Sequence, residues 1–474
     1  MKNLLFKFLA GVLAVCLPFA ALAIAGFSAE PQFGETFLGA LADKYKRLEI
    51  IGKPKIMVVG GSSTAFGLDS ELLWEELDMP VVNFGLYATL GTKLMLDLSR
   101  AHIKNGDVVV VAPELDSQTL SLYFNAESAW QAFDSDTKML GQAAFSNYGA
   151  LAGNFWDYSA SKLRYKRAGG LMPEGVYSRA SFNVDGDIIY PRPNNIMLLG
   201  YDVGHPINLD PQIVGEDFVD YLNDYIKYAK GKGALVYFDF PPMNRLGVAQ
   251  YGDDEAIYEF YLYLANALDC EVIGNINSYI LDERYFYDSN YHLNDSGVPI
   301  RTALLAEDIK RALGIDSPVS IVLSAPPELP IGESPTAGSE ANAEYFLYEP
   351  YASGLLVTGV QDAAKGLFEL TVPRSFEGKA VLAIGEGAFS GCGSLKKITI
   401  EDNIAQFFDR AFSGCGSLEA IVLNMTNANS VSVGEDLLGG ANRACRIYLS
   451  REAFGNFATD YFWGRYAAYM DIAG

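Results

Sequence analysis

The pattern of apolar and polar positions divides the chain into an alternating region and a repetitive region. From residue 55 to residue 313, short apolar runs alternate with longer stretches that have helical spacing. Runs with so few polar residues are typical of parallel strands buried on both faces. We therefore predict an α/β fold with a doubly wound parallel sheet. The short runs cover residues 56–59, 81–84, 108–111 and 234–238.

Two further segments set the predicted domain organisation. Residues 116–205 form an aromatic-rich insertion between the third and fourth predicted strands, and a proline-rich linker follows the α/β region. We favour packing of the insertion on the sheet, and a surface for stacking glycans is the alternative. The predicted division is an anchor or signal peptide at 1–29, an α/β domain at 30–315, the linker at 316–343 and a repeat domain at 344–474.

After the linker the sequence repeats itself. Residues 388–395 and 411–418 are identical and lie 23 residues apart, and alternating apolar residues follow each copy. A period of this length with one short strand per unit predicts a leucine-rich-repeat solenoid. The shared Ala-Phe-x-x-Cys-x-x-Leu pattern resembles the repeats of bacterial surface antigens. In that setting Cys392 and Cys415 are expected to be small buried residues, and the repeats to bind a protein or a host surface.

An uncharged run of 22 residues, from Phe8 to Ala29, follows Lys2 and Lys7. The run is long enough for a membrane-spanning helix with the lysines on the cytoplasmic side. A cleaved signal peptide with a small-residue site at residues 21–23 is the alternative. Both interpretations predict export: the chain faces outward from the cytoplasmic membrane if the segment is retained, and is secreted if it is cleaved.

Composition narrows the possible functions. The chain has 58 acidic and 35 basic residues and a net charge of −23, so we predict no nucleic-acid partner. It has three His and five Cys, without closely spaced cysteine pairs. We therefore predict no metal, no cofactor and no disulfide framework.

Several residues that could take part in catalysis follow the predicted strands. Ser62 comes directly after the first strand and before a helix, where open α/β folds bind ligands. Gly85 ends the second strand, so its backbone amide and that of Ser62 are candidates to hold an oxyanion. Asp288 and His292 lie on one loop before the last helix. The alternative is structural: Ser62 and His292 cap helices, and Asp288 is a loop residue.

In this order, these motifs resemble the GDSL/SGNH hydrolase superfamily. Residues 60–62 match its first block, Gly85 matches its second-block glycine, and Asp288 with His292 match its last block. The resemblance implies that Ser62 is a nucleophile whose proton passes to His292, with Asp288 orienting the imidazole.

Three departures from the family pattern stand out. Gly61 replaces the acidic residue of the first block, and Asp288 precedes His292 by four residues where the family usually has three. The third block is absent, which removes an oxyanion-hole Asn and leaves Asn83 as a substitute. Similar departures occur in the membrane-anchored branch of the superfamily that handles acyl groups of the cell envelope.

Two functions remain open from the sequence. The first is a cell-envelope serine esterase or acyltransferase that acts on acyl esters of surface carbohydrate. Its partners would be a cell-wall or surface glycan and, through the N-terminal helix, the membrane. The second is a non-catalytic surface adhesion protein that carries a degenerate hydrolase domain.

Overall fold

The computed structural model describes most of the chain. The described residues are 24–167, 170–171, 173–197, 199–249, 251–327, 342–442, 444–460 and 462–473. Most of the predicted anchor, residues 1–23, and half of the predicted linker, residues 328–341, lie outside them. No helix within the described residues has the length and apolar character needed to cross a membrane.

A parallel sheet of five strands organises the first part of the chain. Its strand order is β2-β1-β3-β4-β6, and a separate short pair joins β5 to β7. The four apolar runs predicted as strands are β1 to β4, which confirms a mixed α/β fold with a parallel sheet. The strands are β1 Ile56–Gly60, β2 Val81–Gly85, β3 Val108–Val111, β4 Leu235–Phe238, β5 Met243–Asn244, β6 Glu271–Val272 and β7 Ile280–Leu281.

Helices cover both faces of this sheet. The helices are α1 Leu41–Ile50, α2 Ser62–Phe66, α3 Ser70–Leu77, α4 Thr92–Arg100, α5 Ala126–Phe133, α6 Tyr148–Arg167, α7 Glu216–Gly231, α8 Asp254–Ala267 and α9 Val298–Leu313. Met57 of β1 packs in one core with Leu48 of α1, whereas its neighbour Val58 packs in a second core with Leu305 of α9. Successive strand side chains point to opposite faces, so both faces must be apolar. This explains why the strand sequences are nearly continuous apolar runs.

The insertion between β3 and β4 packs on the α/β core. Trp130 of α5 stacks on Tyr158 of α6 with ring centroids 5.0 Å apart, and both residues are buried. This supports the packing interpretation of the aromatic residues. After α6 the chain passes over the sheet edge, where the carboxylate of Asp187 accepts hydrogen bonds from Ser70 and Asn83.

Residues 346–472 form stacked coils whose strands pair in parallel, except for the antiparallel pairs β8–β9 and β11–β12. One sheet has the order β10-β13-β15-β17-β18, and the other has the order β16-β14-β12-β9-β8. The predicted repeat positions are in register, because Ile398 pairs with Ile421 and Ile421 pairs with Ile447. The elements are β8 Phe346–Tyr351, β9 Gly354–Val360, β10 Glu369–Thr371, β11 Ser375–Phe376, β12 Lys379–Ile384, β13 Lys397–Ile400, β14 Gln406–Phe407, β15 Ala420–Leu423, β16 Ser432–Val433, β17 Arg446–Leu449, α10 Arg451–Thr459 and β18 Met470–Ile472.

The structure explains why the two repeat copies, residues 388–395 and 411–418, have identical sequences. Phe389 and Phe412 stack with centroids 5.2 Å apart, so each coil contributes the same ring to a continuous core. Gly391 and Gly414 have φ values of +86° and +80°, a region that a side chain disfavours. Cys392 and Cys415 are buried in the repeat core, as expected.

Candidate active site

The turn between β1 and α2 places Ser62 at the carboxyl end of the sheet. Gly60 ends the strand and Ser62 begins the helix, so the chain reverses over two glycines. A Cβ on Gly61 would lie 2.1 Å from Glu114 Oε2. The space that a side chain at position 61 would need is therefore filled by a carboxyl group from the segment that follows β3. This accounts for the glycine where the resembled family has an acidic residue.

A short loop brings Asp288 and His292 together. Phe286 and Leu293 form an antiparallel bridge, and the Tyr287 amide donates a hydrogen bond to the His292 carbonyl at 2.8 Å. The chain therefore folds back on itself, and His292 Nδ1 lies 2.7 Å from Asp288 Oδ1. The spacing of four residues is compatible with a direct aspartate–histidine contact.

Three side chains hold this pair in place from other parts of the chain. The Tyr177 hydroxyl, from the insertion, donates to Asp288 Oδ2 at 2.5 Å. Asn427, from the repeats, donates to the same oxygen through Nδ2 at 3.0 Å. The Phe66 ring stacks on the His292 imidazole at a centroid distance of 4.0 Å and an angle of 5°. Both oxygens of the buried Asp288 carboxylate are thus bonded, which fixes its orientation.

Ser62 is near this pair but bonds elsewhere. Its hydroxyl donates to Glu114 Oε1 at 3.3 Å, and within the described residues no hydrogen bond joins it to His292. Ser62 and His292 line the same cleft. Because His292 Nδ1 faces Asp288, Nε2 is the nitrogen available to Ser62 or to a ligand.

The three residues expected at an oxyanion hole differ in their placement. Both hydrogens of the Asn83 amide are used, one by the Thr64 carbonyl at 3.1 Å and one by Asp187 at 2.9 Å. The Asn83 side chain therefore has no hydrogen left to donate to an oxyanion, and we no longer consider it a candidate for the oxyanion hole. The Gly85 amide donates to Asn83 Oδ1 at 3.2 Å, a long bond. The Ser62 amide starts α2 at the cleft.

The cleft beside Ser62 and His292 has a volume of about 460 Å³, within the range typical of small-molecule sites. Both parts of the chain line it. Residues of the α/β part include Ser62, Tyr87, Glu114, Asp116, Asp202, His205, Tyr291 and His292, and residues of the repeats include Ala428, Val431, Ser432, Asp460 and Phe462.

Hydrogen bonds and ring contacts join the two parts around the cleft. The Tyr87 hydroxyl donates to Asp460 Oδ2 at 2.8 Å, and the Ser432 hydroxyl donates to Asp202 Oδ1 at 2.8 Å. The Phe462 ring stacks on His205 with centroids 4.0 Å apart. The repeats therefore form one wall of the cleft.

A second histidine–aspartate pair faces the cleft. His205 Nδ1 lies 2.7 Å from Asp202 Oδ2. Burial favours the neutral imidazole, but the neighbouring Asp202 carboxylate outweighs it and raises the pKa of His205. His205 has no role predicted from the sequence, because a single histidine in a Gly-His-Pro turn matches no specific motif.

Four carboxyl groups line the cleft, those of Glu114, Asp116, Asp202 and Asp460. Burial raises the pKa of Glu114, of Asp116 and of Asp460 above the usual range of carboxyl groups. Hydrogen bonds and the His205 charge lower the pKa of Asp202 in spite of its burial. Within the described residues, no cluster of three His, Cys, Asp or Glu side chains is arranged to hold a metal ion.

Comparison with known proteins identifies the C-terminal region. Residues 368–450 match the family model of the BspA type leucine rich repeat region, in six copies. This part of the chain is a leucine-rich-repeat region. Such repeats are typical of surface proteins and often bind protein or surface ligands. The match covers the identical repeat copies found in the sequence, residues 388–395 and 411–418.

Among solved structures, a T. pallidum leucine rich repeat protein is 19% identical, and the similarity covers 25% of this chain and 73% of that chain with a TM-score of 0.17. No curated protein matches the chain significantly.

The sequence did not reveal several residues that surround the candidate site. Glu114 had a detectable signal, because it follows β3 at the place of the missing third block and faces the unusual Gly61. No sequence signal marks Tyr177 or Asn427, since each lies more than a hundred positions from Asp288 and belongs to no motif.

Proposed function

We propose that the chain is an exported serine esterase or acyltransferase of the cell envelope, with Ser62 as nucleophile. The observation that carries the proposal is the buried Asp288–His292 pair, 2.7 Å apart, beside Ser62 in a cleft of about 460 Å³. A hydrogen-bonded acid–imidazole pair near a serine at the end of a parallel strand is the arrangement that nucleophilic acyl transfer requires.

The proposed reaction proceeds through an acyl-enzyme. Ser62 Oγ attacks the carbonyl carbon of an ester while its proton moves to His292 Nε2, and the carbonyl oxygen becomes an oxyanion. His292 then returns the proton to the departing alcohol. Water or a second hydroxyl repeats the sequence in reverse and removes the acyl group. Asp288 keeps the imidazole oriented and stabilises its charged form.

The cleft is suited to an ester on carbohydrate. Tyr87, Tyr291 and Phe462 give the cleft an aromatic lining, and the carboxyl groups of Asp116 and Asp202 can accept hydrogen bonds from sugar hydroxyls. An anionic substrate would meet several carboxyl groups. We therefore propose neutral or cationic acyl-carbohydrate esters, presented by a cell-wall or surface glycan.

In this proposal the repeats have two roles. Their loops between β15 and β17 and after α10 close one side of the cleft, so they select which part of a glycan reaches Ser62. Their outer surface binds a larger surface partner, as expected for a solenoid. The proposal also keeps the predicted division of the chain: an anchor or signal peptide at residues 1–29, an α/β domain at 30–315, a linker at 316–343 and a repeat domain at 344–474.

A second candidate function is non-catalytic surface binding. The specific observation in its favour is that the Ser62 hydroxyl donates to Glu114 and not to His292. In this alternative the α/β part supports the repeats, and the cleft binds glycan without cleaving it.

Labelling with a fluorophosphonate separates the two candidates. The purified full chain and its Ser62→Ala and Ser63→Ala variants are treated with the probe, and the modified residue is identified by mass spectrometry. The esterase proposal expects labelling at Ser62, its loss in Ser62→Ala and its retention in the matched Ser63→Ala control. A chain that is not labelled while it still binds glycan supports the second candidate.

A further inference from the structure

A second cavity adjoins the cleft where the α/β part meets the repeats. It has a volume of about 260 Å³, and Gly204, His205 and Ser432 line both cavities. The loop and the repeat strand touch there, since a Cβ on Gly204 would collide with Ser432 Oγ. The His205 side chain keeps 36% of its surface exposed at this contact. A ligand that extends from the cleft into the second cavity therefore passes an accessible imidazole.

His205 is held in place with one ring nitrogen available to a ligand. Nδ1 lies 2.7 Å from Asp202 Oδ2, and the Phe462 ring stacks on the imidazole with centroids 4.0 Å apart. Asp202 is itself fixed, because its Oδ1 accepts the Gly204 amide at 2.9 Å and the Ser432 hydroxyl at 2.8 Å. Within the described residues no hydrogen bond joins His205 Nε2 to a protein group. A hydroxyl both donates and accepts, so it can bond Nε2 whether or not the imidazole is protonated.

The repeats present a carboxamide to the second cavity. Gln406 of β14 pairs in register with Ser432 of β16, so their side chains point to the same face. Their neighbours Phe407 and Val433 belong to the repeat core. The Tyr351 hydroxyl donates to Gln406 Oε1 at 2.6 Å, which orients the carboxamide. In the part of the chain that the structure describes, Gln406 Nε2 has no hydrogen-bond partner, so it can donate to a ligand.

The charge and polarity of the two cavities narrow the class of ligand. Among the described residues, no lysine or arginine lines either cavity, and Glu386 and Asp409 add two carboxyl groups in the second one. These groups repel an anionic chain. The donors at His205 and Gln406 and the carboxylate acceptors together suit a ligand with many hydroxyl groups. The lining therefore favours an uncharged, hydroxyl-rich chain.

We propose that the second cavity is a subsite for further sugar units of an uncharged glycan chain whose ester lies at Ser62. This inference rests on the proposed esterase function for the position of the ester. His205 Nε2 and Gln406 Nε2 form hydrogen bonds with hydroxyls of the chain. The substrate is then an oligomeric or polymeric glycan rather than a single acylated sugar.

Calorimetric titration of the full chain with unesterified oligosaccharides tests the subsite. The ligands are disaccharides and hexasaccharides of the cello-, xylo- and N-acetylchito-series. We expect Kd to fall by about tenfold or more from disaccharide to hexasaccharide in at least one series, because only the longer chain reaches both His205 and Gln406 while it fills the cleft. The measurement needs no cleavage of an ester.

Two variants of similar shape show where the gain in affinity arises. His205→Asn keeps a donor for Asp202 and removes Nε2, and Gln406→Glu keeps the acceptor for Tyr351 and removes the donor. Each should weaken hexasaccharide binding by about two- to tenfold, the effect of one neutral hydrogen bond. Asn424→Asp is the matched control, because Asn424 is an exposed carboxamide of the repeats that lines neither cavity. Its hexasaccharide affinity should equal that of wild type.

Three results overturn the subsite proposal. One is equal affinity for disaccharide and hexasaccharide in every series. Another is hexasaccharide binding that neither His205→Asn nor Gln406→Glu weakens. The third is tighter binding of an uncharged Gly-Ser peptide than of any hexasaccharide, which would assign the cavity to a polypeptide. Failure of the esterase proposal looks different: Ser62 would then not react with the fluorophosphonate, while affinity would still rise with the length of the glycan.

Discussion

Removal of the Asn427 side chain tests whether the repeats contribute to the candidate catalytic site. Asn427 Nδ2 donates to Asp288 Oδ2 at 3.0 Å across 139 positions of sequence. A hydrogen bond to a charged group contributes about 1.5–3 kcal/mol, and 1.4 kcal/mol corresponds to a factor of ten. The Tyr177 hydroxyl remains on the same oxygen in Asn427→Ala, so we expect the lower end, roughly a tenfold loss.

The expected loss appears in kcat and not in KM, because Asp288 orients His292 and does not contact the proposed substrate. Steady-state cleavage of p-nitrophenyl acetate by the full chain measures both constants. Asn424→Ala is the matched control: Asn424 lies on the exposed side of the repeats, and its amide also donates to a carboxylate, Glu401, at 3.1 Å. Equal kcat values for wild type, Asn424→Ala and Asn427→Ala would refute a catalytic contribution of the repeats.

Three other predictions concern stability, reactivity and the turn at Ser62. Burial lowers the pKa of Lys44 to about 7, so between pH 7 and 10 the unfolded chain binds one more proton and the stability should rise by about 1.4 kcal/mol per pH unit. Urea unfolding of Lys44→Met should lack this slope, and the exposed Lys46→Met should retain it. Burial raises the pKa of Cys415 to about 12, so iodoacetamide at pH 8 should modify it only after denaturation, as read by mass spectrometry. Modification in the native protein would mean that the repeat core opens. Gly61→Ala should lower the melting temperature more than Gly52→Ala, because a Cβ at 61 meets the Glu114 carboxyl and one at 52 meets nothing within 4 Å. Equal melting temperatures would contradict the crowding at this turn.

The parts of the fold that were predictable depend on local pattern. Continuous apolar runs such as residues 108–111 identify strands buried on both faces, and the 23-residue period identifies the solenoid. The proximity of Asp288 and His292 also has a local cause, since both lie on one short loop. Each of these features can be recognised within one short stretch of the chain, the longest being residues 388–418 with the two identical repeat copies.

The surroundings of the candidate site were not predictable, because they depend on contacts between distant segments. Glu114 fills the space beside Gly61 only because β3 lies next to β1. Asn83 was expected at the oxyanion hole, but its side-chain amide donates to Asp187 instead. Asn83 and Val81 lie on one face of β2, and Phe84 lies on the opposite face. The packing of the repeats against the cleft was also unexpected, since the proline-rich linker predicts independent domains.

The central claim is that Ser62 and His292 act as one catalytic unit, and double-mutant kinetics test it most directly. The rate of p-nitrophenyl acetate cleavage is measured for wild type, Ser62→Ala, His292→Ala and the double variant, with folding checked by circular dichroism. Each single substitution should lower kcat by orders of magnitude, and the double variant should lose little more, because either change alone disables the unit. A Ser62→Ala variant that is as active as wild type, or losses that add in the double variant, would contradict the account.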